Sequence, residues 1–199
     1  MTGDATKARG SYPKGQARRQ QIVDAALAVF AKSGYHSGSL REIAKRVGLT
    51  PAGVVHHFAS KEALFTEVLE QRDARVRGAA GDVTENSLLQ QTRKVVAYNQ
   101  STRGLTSLYT VISAEATDDE HPAHDYFVRR YAEGRVLAEA TLRDAVESGR
   151  VRADLDVEHA ARLIPAVMDG LQQQWLLDDG FDMAAAFDDF LRGYLQPPA

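Results

Sequence analysis

The run Thr50-Pro51-Ala52-Gly53-Val54-Val55-His56-His57 is the part of the chain whose residue types are hardest to explain as packing alone. It offers a hydroxyl, imidazoles and small side chains on one short element. Gly53 in a helix costs about 1 kcal/mol relative to alanine, so its presence predicts a close approach of backbone to a partner surface or to another helix. Adjacent histidines point to different faces, so His56 and His57 cannot chelate one ion as a pair. Elsewhere, His121-x-x-His124 with Asp118, Asp119, Glu120 and Asp125 has the i, i+3 spacing of a metal pair. So polar a run is expected to be a solvated loop before a helix instead. There is no Gly-rich phosphate loop, G-x-S-x-G elbow or H-E-x-x-H. The carboxylate pairs Asp118-Asp119 and Asp188-Asp189 lie in polar runs. No catalytic residue, metal site or cofactor is expected, and the chain is not expected to be an enzyme.

The elements that must position the first run can be read from their stop and start residues. Ser39 and Glu42 have capping-box spacing, which predicts a helix from Leu40. Leu40, Ile43, Ala44 and Val47 then form one apolar stripe. Gly48 ends that helix in a conformation with positive φ. Thr50 caps a second helix, with Pro51 at its first position, and the second helix closes around Phe58, Ala59 and Ser60. Upstream, residues 18–31 place Ile22, Ala25, Ala26, Val29 and Phe30 on one face, and Ser33-Gly34-Tyr35 stops the helix with Tyr35 folded back. Downstream, Ser60 caps a long helix through Leu64, Phe65, Val68 and Leu69 to about residue 77. Helix, short glycine turn and helix is the arrangement that sets its second member in the DNA major groove.

The run from Gly34 to Phe65, G-Y-H-S-G-S-L-R-E-I-A-K-R-V-G-L-T-P-A-G-V-V-H-H-F-A-S-K-E-A-L-F, resembles the DNA-binding region of the tetracycline-repressor (TetR) family of bacterial regulators. The resemblance covers residues 16–78 and departs at His56-His57, where many relatives carry tyrosines before the Phe. It implies DNA contacts from Ser39, Arg41, Thr50, Pro51, Ala52, Gly53, Val54, His56, His57 and Lys61. In this reading Val55 and Phe58 turn toward the bundle. Ser39, Arg41 and Lys61, at helix starts, are expected to meet phosphate.

Charge is split along the chain. Residues 1–78 hold 13 Lys/Arg against 7 Asp/Glu, and residues 79–199 hold 11 against 20, which sum to the overall −3. A basic end attracts phosphate while an acidic body stays off the duplex. The chain has no cysteine, which removes disulfides and thiolate metal sites and suits a reducing cytoplasm. No apolar run approaches the roughly 18 residues of a membrane span, and the N-terminus lacks the apolar core of a signal peptide. Residues 1–15 are expected to be a disordered basic arm, 16–60 the helix-turn-helix domain with a linking helix over 60–78, and 79–199 a second domain.

That second domain also reads as helices, over 86–102, 103–116, from Pro122 to about 147, from about 157 with a kink at Pro165, and 183–195. No strand pattern appears, so the fold class is all-α: an N-terminal three-helix bundle and a larger C-terminal helical domain. The apolar face Phe187, Phe190, Leu191 and Tyr194 is expected to pack in part into its own domain and in part, as the family resemblance implies, against a second copy in a homodimer through the last two helices, the symmetry that a palindromic operator needs. The family resemblance implies a small-molecule pocket in the C-terminal domain. Asn99, Arg103, Tyr109, Phe127, Tyr131, Met168, Gln172 and Trp175 are its candidate lining. The expected protein is a repressor that binds double-stranded palindromic DNA and is released by an unidentified small molecule, the long helix from Ser60 acting as lever. The alternative is a DNA-binding regulator without small-molecule control, responding to a protein or acting constitutively.

Overall fold

Nine helices occur among the residues that the computed structural model describes, 11–81 and 88–196. They are α1 (Ser11–Ser37), α2 (Leu40–Arg46), α3 (Pro51–Phe58), α4 (Lys61–Ala80), α5 (Leu88–Ser101), α6 (Arg103–Glu115), α7 (His124–Glu147), α8 (Val157–Leu177) and α9 (Met183–Leu195). Most are separated by a segment holding glycine or proline, but α3 from α4 by Ala59 and Ser60 and α5 from α6 by Thr102. Among the described residues no strand occurs, and no helix is long and apolar enough to cross a membrane. Two compact units divide between Glu70 and Gln71, inside α4.

In the first unit α1 begins at Ser11, inside the stretch expected to be a disordered arm. Pro13 falls in the first turn, where a missing N–H has no helical partner to lose. Residues 1–10 of that expected arm lie outside the described residues. The break expected at Gly34 is present, with φ at 68° between two helical stretches. Beyond it Tyr35 folds back, its ring 4.7 Å from that of Phe65, which meets Phe30 edge-on at 5.0 Å. These rings, with Ile22, Val23, Ala26, Val29, Ile43, Leu64 and Val68, are buried.

In the second unit α9 packs against α5 and α8. Phe187, Leu191, Leu195 and Met183 are almost wholly buried there with Val96, Leu142, Ile164 and Trp175. Phe187 and Leu191 are thus the part of the α9 apolar face that packs inside its own unit. Phe190 and Tyr194 remain partly buried and stack at 5.4 Å. α8 continues through Pro165. α7 begins at His124 rather than at Pro122, because the preceding residues close hydrogen-bonded turns of their own.

Candidate nucleic-acid interface and a cleft in the second unit

The turn between α2 and α3 is built by backbone hydrogen bonds that leave little freedom. Ser39 Oγ accepts from the Arg41 N–H at 3.1 Å and starts α2. The Glu42 carboxylate is taken by Arg46 at 2.8 Å, one turn along, so half of the expected capping box is diverted to an ion pair. At the end of α2, Leu49 N–H reaches Ala44 O at 2.9 Å and Gly48 N–H reaches Lys45 O at 3.4 Å. That double closure requires positive φ, and Gly48 supplies it at 66°. Thr50 Oγ1 then accepts from the Gly53 N–H at 3.1 Å and starts α3. At the far end, Ser60 N–H bonds Phe58 O at 2.6 Å around Ala59, a non-glycine residue at φ 61°. Ser60 Oγ caps α4 through the Ala63 N–H.

Burial fixes the rotation of α3. Val54 is fully buried and Phe58 nearly so, while Val55 is 37% exposed. The expectation that Val54 faces outward and Val55 inward is corrected. Residues four apart lie about 40° apart on a helix and residues three apart about 60°, so Val54 with Phe58 makes the narrower seam. Pro51, Ala52, Val55 and His56 are exposed and Gly53 and His57 half-buried. The His56 and His57 ring centroids lie 5.7 Å apart.

One residue outside the expected set holds this helix. Arg19 donates to the His57 carbonyl at 2.6 Å and to Glu67 at 2.7 Å, and its guanidinium covers the Phe58 ring at 4.0 Å. The His57 carbonyl belongs to the last turn of α3, where no intrahelical N–H is left to satisfy it. The clue in the sequence was position: Arg19 extends the stripe of Ile22 and Ala26 by one turn. Lys61 is likewise engaged within the unit, 3.3 Å from the His36 carbonyl and 4.3 Å above the Tyr35 ring. Tyr35 donates to Glu62 at 2.6 Å, which holds that carboxyl below its ordinary range.

The second unit contains a cleft of about 570 Å³ lined by α4, α5, α6, α7 and α8. Val76, Val95, Leu137, Ile164 and Met168 supply apolar wall. Its polar end is a charge network on Asp73: Arg72 reaches one carboxylate oxygen at 3.0 Å, and Arg130 and Tyr126 reach the other at 2.7 and 2.5 Å. Alongside, Tyr109 donates to Tyr131 at 3.0 Å and Tyr131 to Asp169 at 2.7 Å. Burial pushes the Asp169 carboxyl above its ordinary range, against the Tyr131 hydrogen bond and the nearby arginines. Burial likewise raises the Tyr109, Tyr126 and Tyr131 phenols.

The family model described as bacterial regulatory proteins, tetR family, matches residues 22–68, and that of the BetI-type transcriptional repressor, C-terminal, matches residues 84–196. The chain belongs to the tetR family. It is a DNA-binding transcriptional regulator whose helix-turn-helix is α2 and α3. The repressor AcnR of Corynebacterium diphtheriae is 29% identical over 157 residues, 77% of this chain and 78% of the relative. Two solved structures share the fold. A transcriptional regulator from Saccharomonospora viridis in complex with choline is 22% identical at a TM-score of 0.76, over 92% of this chain and 100% of that one. FadR from Bacillus subtilis in complex with stearoyl-CoA is 20% identical at 0.74, over 90% and 99%.

Of the expected pocket residues of this tetR-family regulator, Tyr109, Tyr131 and Met168 line the cleft. The other expected residues lie elsewhere. Trp175 is buried in the core against α9, and Phe127 is buried with its ring edge-on to those of Tyr109 and Tyr126. Arg103 is on the surface, donating to the Leu176 carbonyl at 2.8 Å and to Asp179 at 3.2 Å, where it caps the end of α8. Asn99 and Gln172 are buried, and their amide groups have no hydrogen-bond partner among the described residues. These placements share a cause: a polar or aromatic residue on an apolar face marks burial, not which side of the helix the burial lies on. The cleft residues that the sequence did not single out, Asp73 and Arg130 above all, sat among ordinary helix-surface charges.

The His121-x-x-His124 segment is less solvated than expected. His121 is 3% exposed and its Nδ1 accepts from the Ala123 N–H at 3.1 Å, while the His124 ring bonds the Ala116 carbonyl at 3.0 Å. No group of residues fit to hold a metal ion occurs among the described residues.

Proposed function

We propose that two copies of the protein pair through α8 and α9 and bind a palindromic operator as a repressor, and that a small molecule in the second-unit cleft releases them. The observation that carries the DNA half is the mounting of α3. Val54 and Phe58 anchor it from beneath and Arg19 holds its last turn, which leaves Pro51, Ala52, Val55 and His56 turned outward. Small outward residues let the helix backbone come close to base edges. Thr50, Pro51, Ala52, Gly53, Val55, His56 and His57 are the proposed groove residues; Ser39, Arg41 and Lys61 the proposed phosphate contacts.

The release half is supported by the cleft and by the ligands named in the two solved structures above. For a ligand to lower DNA affinity it must bind the DNA-incompetent state more tightly, and the coupling is reciprocal. The expected operator is a palindrome with half-site centres about 10–10.5 base pairs, or a multiple, apart. Selection of bound sequences from a random DNA pool checks this, and an asymmetric single half-site would overturn the dimeric reading. Gly53→Ala adds a Cβ that meets Thr50 Oγ1 at 3.4 Å and Leu49 at 3.6 Å, ordinary contacts. It is expected to stabilise α3 by about 1 kcal/mol while weakening operator binding. Unchanged operator affinity in both Gly53→Ala and His57→Ala would remove these residues from the interface. An operator complex that no small molecule releases would leave a regulator without small-molecule control.

A further inference from the structure

We infer that the molecule taken by the second-unit cleft is an amphipathic anion, with an apolar body along the wall of Val76, Val95, Leu137, Ile164 and Met168 and a carboxylate head against Arg135. This rests on the proposal that the cleft is the effector site. Arg77, Arg130 and Arg135 line the cleft against one carboxylate, that of Asp73. Asp73 is already held by Arg72, Arg130 and Tyr126 at 3.0, 2.7 and 2.5 Å, so it has little left to offer a cationic ligand. The surplus of arginine runs against its surroundings, since from Gln71 onward the chain carries 14 Lys/Arg and 21 Asp/Glu. Random placement would give such a cleft an acidic lining.

Arg135 is the group best placed to receive the head. Its Nε lies 4.0 Å from Glu139, a carboxylate that Arg143 holds at 3.0 Å. Its charge is therefore only loosely compensated. It also lines the neighbouring hollow of about 520 Å³ with Arg162 and Asp169, so the positive potential extends past the cleft's rim.

The aromatic rings argue against a cation. A quaternary ammonium is recognised by open aromatic faces arranged around it. Here the Tyr109 ring already has the guanidinium of Arg72 at 4.3 Å and that of Arg130 at 5.3 Å. Tyr131 is the other ring of the cleft lining, and one ring makes no cage. The choline-bound structure, at 22% identity, shares the fold without fixing the ligand chemistry of this chain.

The test compares three probes of one chain length on the full-length protein by isothermal titration calorimetry: decanoate, 1-decanol and decyltrimethylammonium. Decanoate is expected to bind about tenfold or more tighter than decanol, the worth of one charge-assisted hydrogen bond, with the ammonium weakest. Added salt should erode the decanoate advantage and leave decanol unchanged. Arg135→Gln should bring decanoate down to the level of decanol without altering decanol binding, which also reports that the cleft is folded, and Arg135→Lys should restore part of the difference. Ammonium binding as tight as decanoate, an undiminished decanoate affinity in Arg135→Gln, or no decanoate binding would overturn the inference. Operator release, measured separately, keeps the two claims apart. Decanoate binding without release would leave the ligand chemistry standing and sink the release mechanism. Release by the ammonium probe alone would do the reverse.

Discussion

Arg19 shows how one side chain can set the geometry of a recognition element that it need not touch DNA to influence. It satisfies the His57 carbonyl, pairs with Glu67 and covers Phe58. The Arg19–Glu67 pair is partly exposed, at 42% and 28%, so its Coulombic share is small. The hydrogen bond to a helix-end carbonyl and the ring contact make up most of the effect. Arg19→Ala is expected to cost about 1–2 kcal/mol in urea unfolding and to weaken operator binding by loosening the end of α3. Arg19→Lys should recover little, because a point charge cannot serve carbonyl, carboxylate and ring together. A lysine variant with full operator affinity would show that charge alone suffices. Glu62 gives a pH prediction at the same scale. The Tyr35 hydrogen bond lowers its folded carboxyl pKa, so its contribution is present above the unfolded carboxylate pKa and is lost as pH falls through the folded one. Tyr35→Phe should flatten the acid side of the stability profile between about pH 5 and 3, measured as urea midpoint against pH.

At the scale of the element, α3 is a helix of 8 residues, too short to hold its own shape. Its orientation comes from two buried side chains one turn apart. Val54→Ala removes fully buried methyls and is expected to cost about 2 kcal/mol. Val55→Ala, on the exposed side, should change stability by less than about 0.5 kcal/mol while altering DNA affinity. Unfolding midpoints of the two variants check the rotation directly, and equal losses would mean that the helix is seated differently. α9 makes the complementary point. Its apolar face is what a terminal helix needs to close its own core, and most of it is spent there.

For the whole molecule, the proposed pairing of two copies needs a surface to carry it. Large exposed apolar side chains lie at the end of α8, where Leu177 is 83% exposed, and along α7, where Val136 is 64% exposed. Pairing through α8 and α9 predicts that Leu177→Glu raises the monomer fraction while Val136→Glu leaves the dimer intact. Both positions are open enough for glutamate to be tolerated by the fold, and light scattering across a dilution series reads the result. The opposite pattern would move the interface to α7. Dimerisation matters for DNA affinity because a single short reading helix cannot select a site alone, whereas two heads held at groove spacing can.

The sequence by itself determined the elements. Ser39, Gly48, Thr50, Pro51 and Ser60 act on the backbone within a few residues of themselves, so the starts and stops around α2, α3 and α4 could be read without knowing what packs where. The family resemblance to residues 16–78 was legible for the same reason: fixed spacing of local signals. Tertiary structure decided the rest. The rotation of α3 depended on whether Val54 or Val55 met the bundle, a difference of one residue that a valine pair cannot encode. The cleft depended on which charged residues from α4 and α7 met, and Asp73 and Arg130 lie 57 positions apart in the chain. Pocket residues chosen for being polar or aromatic divided among cleft, core and surface, because helical periodicity tells which residues share a face but not what that face touches. Local capping and turn chemistry are written in the chain itself, whereas a site made by distant helices exists only once they have packed.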